Sequence, residues 1–415
     1  MKRVLMIAYH FPPLAGSSGI QRTLRLVQDL PRFGWQAAVL STDLRAYERI
    51  SEDPANEIPA GTPVRRAFAL DTARHLQLGG RYLGWMARPD RWISWRFDGL
   101  RQGLRLAREF KPDLIWSTYP IASAHVIGSA LHRRTGLPWV ADFRDPMAHD
   151  GYPEDPKTWQ RFLEVEQDVV RQASRCVFTA PGAAALYRER YPDTADRMRV
   201  IENGYDEDSF ARLPVTGLAP SAGRPMVMLH SGVVYATERD PTPLFTALGR
   251  LRQSGRLGPQ DLRIRFRAAV NESMLRDLAQ QQGASEFIEI CPAIPYRDAL
   301  TEMVGTDVLL VMQAANCNAQ IPAKIYEYLR AGRPIVGLTD PAGDTAGVLR
   351  EAAVPDIVPL DSAEAIAAAL PGLVDRWRAG LLPLPRPEAV KAASRLGRAE
   401  AMARLFEEVA LSPSR

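Results

Sequence analysis

The chain has 415 residues, 46% of them hydrophobic and 24% charged, and a formal net charge of +4. At roughly 100–200 residues per domain, this length predicts two or three domains, each able to bury a core. The 33 prolines are scattered and build no low-complexity tract, and three widely spaced cysteines exclude a disulfide framework or a zinc spacing and fit a reducing cytoplasm.

Lys2 and Arg3 followed by the apolar run 4–8 mimic the start of a signal peptide. The run is short, His10 and Pro12-Pro13 end it, and no small-residue cleavage site follows, so it reads as a first buried strand. No stretch approaches the 18 or so apolar residues a membrane span needs. Further runs at 37–42, 113–118, 139–143, 175–179 and 199–201 read as strands. Helical patterns at 20–33, 99–110 and 122–134 lie between them. Residues 203–206, Asn-Gly-Tyr-Asp, read as a turn, and the Pro- and Gly-rich stretch 213–225 reads as a linker. The pattern then restarts, with strands at 226–230, 263–267, 287–291, 307–312 and 334–337. Helices are expected at 241–253, 271–282, 296–304 and 323–330, and a last one at 388–409. Short apolar runs alternating with helices predict an α/β chain with parallel sheets. The expected domains are 1–205 and 206–385, with 386–415 as a C-terminal helix packing back on the first. Two such halves would leave a cleft at the carboxyl ends of both sheets, where ligands of open α/β sheets sit.

Charge is concentrated in one place. Residues 65–111 hold eleven Arg and Lys against four acids, a net +7, interleaved with Tyr82, Trp85, Trp92, Trp95 and Phe97. That mixture suits an anionic membrane surface, a lipid-phosphate acceptor or nucleic acid, and equally a solvated helix face above core aromatics.

Four motifs carry candidate chemistry. Residues 12–20, Pro-Pro-Leu-Ala-Gly-Ser-Ser-Gly-Ile, follow the first strand and open a helix; taken alone they read as a tight βα turn, and Gly16 and Gly19 would also let a phosphate approach backbone N–H groups. Residues 139–146 end a buried strand on Asp142, Arg144 and Asp145, charges that need pairing or a cleft, and His125 lies on the preceding helix. In 230–241, Gly232 ends a strand and Arg239 stands just before a helix, a forked cation suited to a diphosphate. In 321–336, Lys324 lies in the first turn of a short helix, where the helix dipole disfavours a cation unless an anion is bound. Glu327, one turn on, is placed to accept two hydroxyl hydrogen bonds.

With these motifs in this order, the chain resembles the retaining glycosyltransferases of family 4. Tyr9, Pro12-Pro13 and Gly16 to Gly19 resemble the family's first βα loop. Asn203 to Asp206 with Phe210 resembles its domain crossover, and Gly232 with Arg239 its diphosphate loop. Pro322-Ala-Lys-Ile-Tyr-Glu-Tyr-Leu329 with Gly332-Arg333-Pro334 resembles its donor helix. The resemblance implies a GT-B fold, two Rossmann-like parallel-sheet domains facing across a cleft. It also implies that Glu327 holds the ribose hydroxyls. Two positions depart from the family: Ala319 stands where many members carry a glutamate that contacts the donor sugar, and Arg144 where some carry a histidine.

The function this implies is retaining, metal-independent transfer of a hexosyl or related sugar from a nucleoside-diphosphate sugar to an acceptor hydroxyl, in polysaccharide, glycolipid or related glycoconjugate biosynthesis. Gly16, Gly19, Gly232, Arg239, Lys324 and Glu327 would bind the donor. Asp142, Arg144, Asp145 and His125 would orient the acceptor. No metal or separate cofactor is expected. The expected partners are the donor, a glycan or lipid-linked acceptor and an anionic membrane face, not nucleic acid, with the protein cytoplasmic or at the inner face of the cytoplasmic membrane. A sugar-nucleotide epimerase and a non-catalytic sugar-nucleotide-binding protein are the alternatives.

Overall fold

The computed structural model describes residues 1–15, 19–51, 55–149, 151–211, 213 and 223–411. The chain divides into two compact units, Met1–Glu202 with Leu396–Arg415, and Asn203–Arg395.

The first unit is built on a seven-stranded sheet in the order β3-β2-β1-β4-β5-β6-β7. These strands are β1 (Lys2–Ile7), β2 (Trp35–Thr42), β3 (Val64–Ala67), β4 (Leu114–Thr118), β5 (Trp139–Arg144), β6 (Arg175–Phe178) and β7 (Met198–Val200). Every pairing is parallel; Val4, for instance, lies opposite Ala37 on one side and Leu114 on the other. Helices cover the sheet, so its central strands are apolar over nearly their whole length and read as continuous runs in the sequence. The edge strand β3, Val-Arg-Arg-Ala, carries two half-exposed arginines and has no such run, which is why the sequence does not announce it.

The second unit repeats the plan with six parallel strands in the order β10-β9-β8-β11-β12-β13. They are β8 (Met226–Ser231), β9 (Leu262–Arg267), β10 (Ile288–Cys291), β11 (Val308–Gln313), β12 (Ile335–Thr339) and β13 (Ile357–Val358). Strand order reverses between β1 and β4 in the first sheet and between β8 and β11 in the second. The carboxyl ends of strands flanking such a reversal are where this architecture binds ligands.

Two expected elements differ. Residues 388–409 are not one helix: Pro387–Ala392 and Arg395–Leu411 are separate. Residues 203–206 are not a turn either. Tyr205 is extended and bridges Ser394 in parallel, its N–H donating to the Ala393 carbonyl at 3.1 Å. Gly204 makes this approach possible, since a Cβ there would stand 2.7 Å from the Ala393 oxygen. Of the stretch read as a linker, Leu213 and residues 223–225 lie within the described residues and the rest outside them.

The helix Arg395–Leu411 belongs mostly to the first unit, where Met402, Leu405, Phe406 and Val409 are buried in the core beneath β1 and β2. Phe406 meets Trp35 edge-on at 5.3 Å between ring centroids, and Lys2 and Arg175 pair with Glu407 and Glu408. Among the described residues no helix is long and apolar enough to cross a membrane.

Candidate functional site

In the second unit, the residues following β8 and those on the helix Lys324–Ala331 form one cluster. His230 is buried near the end of β8, its Nδ1–H donating to the Leu310 carbonyl at 3.0 Å. A carbonyl can only accept, so the proton sits on Nδ1 and the Nε2 lone pair faces the Lys324 ammonium, 3.1 Å away. Burial, and then the charge of Lys324, hold His230 far below the usual histidine range, so it stays neutral and accepts.

Gly232 has φ +116°, and a Cβ there would lie 3.0 Å from the Lys324 Nζ. This is the one place in the cluster where only glycine leaves room for the lysine. Lys324 itself is pushed down to about 7 by burial and by the nearby charge of Arg239, with Glu327 opposing. Arg239 donates to the Val233 carbonyl at 2.8 Å and stacks over Tyr235, while its buried Nε has no partner among the described residues. Among the described residues neither Lys324 nor Arg239 makes an ion pair. Two cations held together in this way repel each other until an anion arrives.

Glu327 faces the same region from the same helix as Lys324. Its carboxylate accepts from the exposed Tyr296 hydroxyl at 2.7 Å, and burial raises its pKa above the usual range. Tyr328 secures the loop from below by accepting the Ser231 N–H at 2.8 Å. The helix stops at Gly332, whose φ of +65° caps it. Ala319, at the position where many family 4 members carry a sugar-contacting glutamate, presents no polar side chain, and the neighbouring Gln320 accepts through its backbone carbonyl from Gln313 at 3.1 Å.

In the first unit, Gly16 lies outside the described residues. Gly19 opens the helix Gly19–Asp29, and a Cβ there would collide with the His10 ring and reach 3.0 Å from the Arg144 guanidinium. His10, Gly19 and Arg144 therefore come together. Burial, and then the Arg144 charge, push His10 down to about 4. Arg144 has φ +63° at a β-bulge closing β5, and its buried Nε has no partner among the described residues. A bulky residue in the left-handed region at a strand end is the kind of strain found at functional sites. Asp145, beside it, is raised by burial and takes a long 3.5 Å contact from the Thr179 hydroxyl.

Two expected members of this group lie deeper. Asp142 is wholly buried and forms a two-pronged pair with Arg22, both contacts at 2.8 Å. His125 is also wholly buried, bonded to the Ser117 hydroxyl at 2.8 Å and packed against Phe143. Burial holds it down to about 4, and its buried Nε2 has no hydrogen-bond partner among the described residues. Sequence reading missed His10, Arg22, His230 and Tyr296. Only His230, two positions before Gly232, had a local cue; the others depend on contacts between distant segments.

The basic segment divides as well. Trp95 is fully buried and Trp92 packs on Tyr9, whereas Trp85 and Phe97 are each 68% exposed. Arg65, Arg91 and Arg101 are paired with Glu109, Asp71 and Asp98. Among the described residues no group of three or more His, Cys, Asp or Glu side chains is placed to hold a metal ion.

Residues 18–204 match a family model described as a glycosyl transferase 4-like domain. No curated protein matches the chain in sequence. Among solved structures, HepE of Anabaena in complex with UDP superposes with a TM-score of 0.66 at 14% identity, covering 98% of this chain and 100% of that one. Sucrose-phosphate synthase of Thermosynechococcus elongatus gives 0.64 at 15% identity, covering 98% and 99%. A Listeria monocytogenes protein described as a candidate UDP-N-acetylglucosamine 2-epimerase gives 0.56 at 12% identity, covering 98% of each chain. At these identities the likeness establishes the fold, and with the two doubly wound sheets it leads to one conclusion: the chain has the GT-B fold, with residues 18–204 similar to a glycosyl transferase 4-like domain.

Proposed function

We propose that the protein is a retaining glycosyltransferase that moves a sugar from a nucleoside-diphosphate sugar to an acceptor hydroxyl. The observation that carries this reading is the placing of Lys324 near Arg239 beside Gly232, at the carboxyl end of β8, with neither cation in an ion pair among the described residues. A diphosphate supplies the missing negative charge. As the glycosidic bond breaks, the leaving diphosphate gains charge, and both cations act more strongly on it than on the intact donor. His230 aims the ammonium by accepting one of its hydrogens. Glu327 takes the ribose hydroxyls, displacing Tyr296. UDP in Anabaena HepE makes a uridine donor the first to try.

With two protein cations on the leaving group, the reading needs no divalent metal. Departure and attack on the same face need mainly positioning, and Arg144 and Asp145 are the groups assigned to the acceptor. The acceptor is a glycan or lipid-linked sugar in cell-surface polysaccharide or glycolipid synthesis, reached from the cytoplasm, and the basic segment 65–111 brings the protein to an anionic membrane face.

The test is a panel of nucleotide sugars, read by thermal shift and then by product analysis. Release of nucleoside diphosphate, with the product anomer matching the donor and full activity in EDTA, is the expected result. An altered sugar on an intact nucleotide would mean an epimerase, binding without turnover a non-catalytic protein, and either outcome overturns the proposal.

A further inference from the structure

Residues 76–97 and the first turns of the helix Pro156–Gln172 line an open cavity of about 560 Å³ within the first unit. That volume is in the range of small-molecule sites, roughly 300–1,000 Å³. Trp85, Met86, Ile93 and Phe97 supply its apolar surface, and Ser94 is its one neutral polar side chain. No carboxylate or amide side chain lines it, so a glycan would find little to bond with there.

Four cations complete the lining: Arg88, Arg96, Lys157 and Arg161. Arg88 is paired with Asp155 at 3.1 Å and Arg161 with Glu164. Arg96 stacks over Phe97 at 4.6 Å, and among the described residues neither it nor Lys157 makes an ion pair. Lys157 also lies in the first turn of its helix, where the dipole disfavours a cation and favours an anion. A largely apolar cavity whose lining includes two cations with no ion pair among the described residues is complementary to a hydrocarbon chain carrying a phosphate.

We infer that this cavity binds the chain of a phosphorylated lipid, with the phosphate held between Arg96 and Lys157. The inference rests on the lipid-linked branch of the acceptor reading and makes that branch specific. It is independent of the donor cluster.

Calorimetry on the full chain tests it with three probes: dodecyl phosphate below its micelle concentration, dodecyl maltoside with the same chain and no charge, and inorganic phosphate. Saturable binding of dodecyl phosphate is expected, at least tenfold tighter than the maltoside, with none detectable for inorganic phosphate. Arg96→Ala with Lys157→Ala should weaken dodecyl phosphate by roughly 30-fold, at about a decade and a half for two headgroup cations. Phe97→Asp should abolish binding. Both variants should bind a uridine-diphosphate sugar as the unaltered protein does, so failure here is distinguishable from failure of the donor reading. Equal binding of the two dodecyl compounds, absence of saturation, or an Arg96/Lys157 variant with unchanged affinity would each overturn the inference.

Discussion

At Lys324 the ammonium is held near pH 7 because it is buried beside Arg239. A bound diphosphate favours the charged form and raises that value. Binding of a nucleotide sugar, whose diphosphate diester does not itself titrate there, must then take up a proton above about pH 7. Donor affinity is expected to be flat at lower pH and to fall as pH rises through 7 and beyond. Calorimetry in buffers of different ionisation enthalpy reads the proton directly, and Lys324→Arg should flatten the profile; a flat profile in the unaltered protein would remove Lys324 from the diphosphate. Glu327→Ala should lower donor affinity by about 10- to 100-fold, the worth of a hydrogen bond to a charged group, without lowering Tm. Gly232→Ala should weaken the donor as well, because it strains a φ of +116° and presses on the lysine.

The ends of strands and the starts of helices depend on less visible contacts. Arg22, on the helix Gly19–Asp29, ties Asp142 at the end of β5 to the carbonyls of Ile201 and Glu202 after β7, at 3.0 and 3.2 Å. Removing one partner of a buried ion pair costs about 3–5 kcal/mol because the other is left charged and dry. Arg22→Met should therefore destabilise the first unit by that order in urea denaturation. A cost under about 1 kcal/mol, as at a surface pair, would show that Asp142 is solvated. Gly19→Ala should displace His10 and Arg144, and by the acceptor reading slow transfer while leaving donor binding unchanged.

For the whole molecule, the first unit is completed only by the last helix. Met402, Leu405, Phe406 and Val409 are buried against its core. At roughly 1.5–3 kcal/mol for each large apolar side chain, the helix contributes on the order of 6–12 kcal/mol, comparable to the 5–15 kcal/mol that keeps a typical domain folded. A chain ended after Ser394 should lose the first unit's cooperative transition while the second keeps its own, visible as one missing step in calorimetry. Two transitions surviving the truncation would show that the helix is dispensable. At the same scale, cosedimentation with anionic and neutral vesicles at low and high salt checks the basic segment. Salt-reversible binding to the anionic vesicles alone is expected, and equal binding to both would exclude charge as the cause.

The sequence by itself determined both parallel sheets, because strands buried on two faces must be apolar along their length, and nearly all of them stood out as short runs between helices. It also determined the short donor helix, where Gly332 stops the chain and Lys324 and Glu327 sit one turn apart. Only the tertiary structure decided which charges are available. Asp142 and Arg144 look alike at the end of one strand, yet one is paired with a residue 120 positions away and the other keeps a buried Nε with no partner among the described residues. His125 and His10 are both single histidines in apolar surroundings, yet one fills the core and the other meets Arg144 across Gly19. Local pattern records how often a residue is buried; it does not record what it is buried against, because that contact forms between segments brought together only by the packed fold.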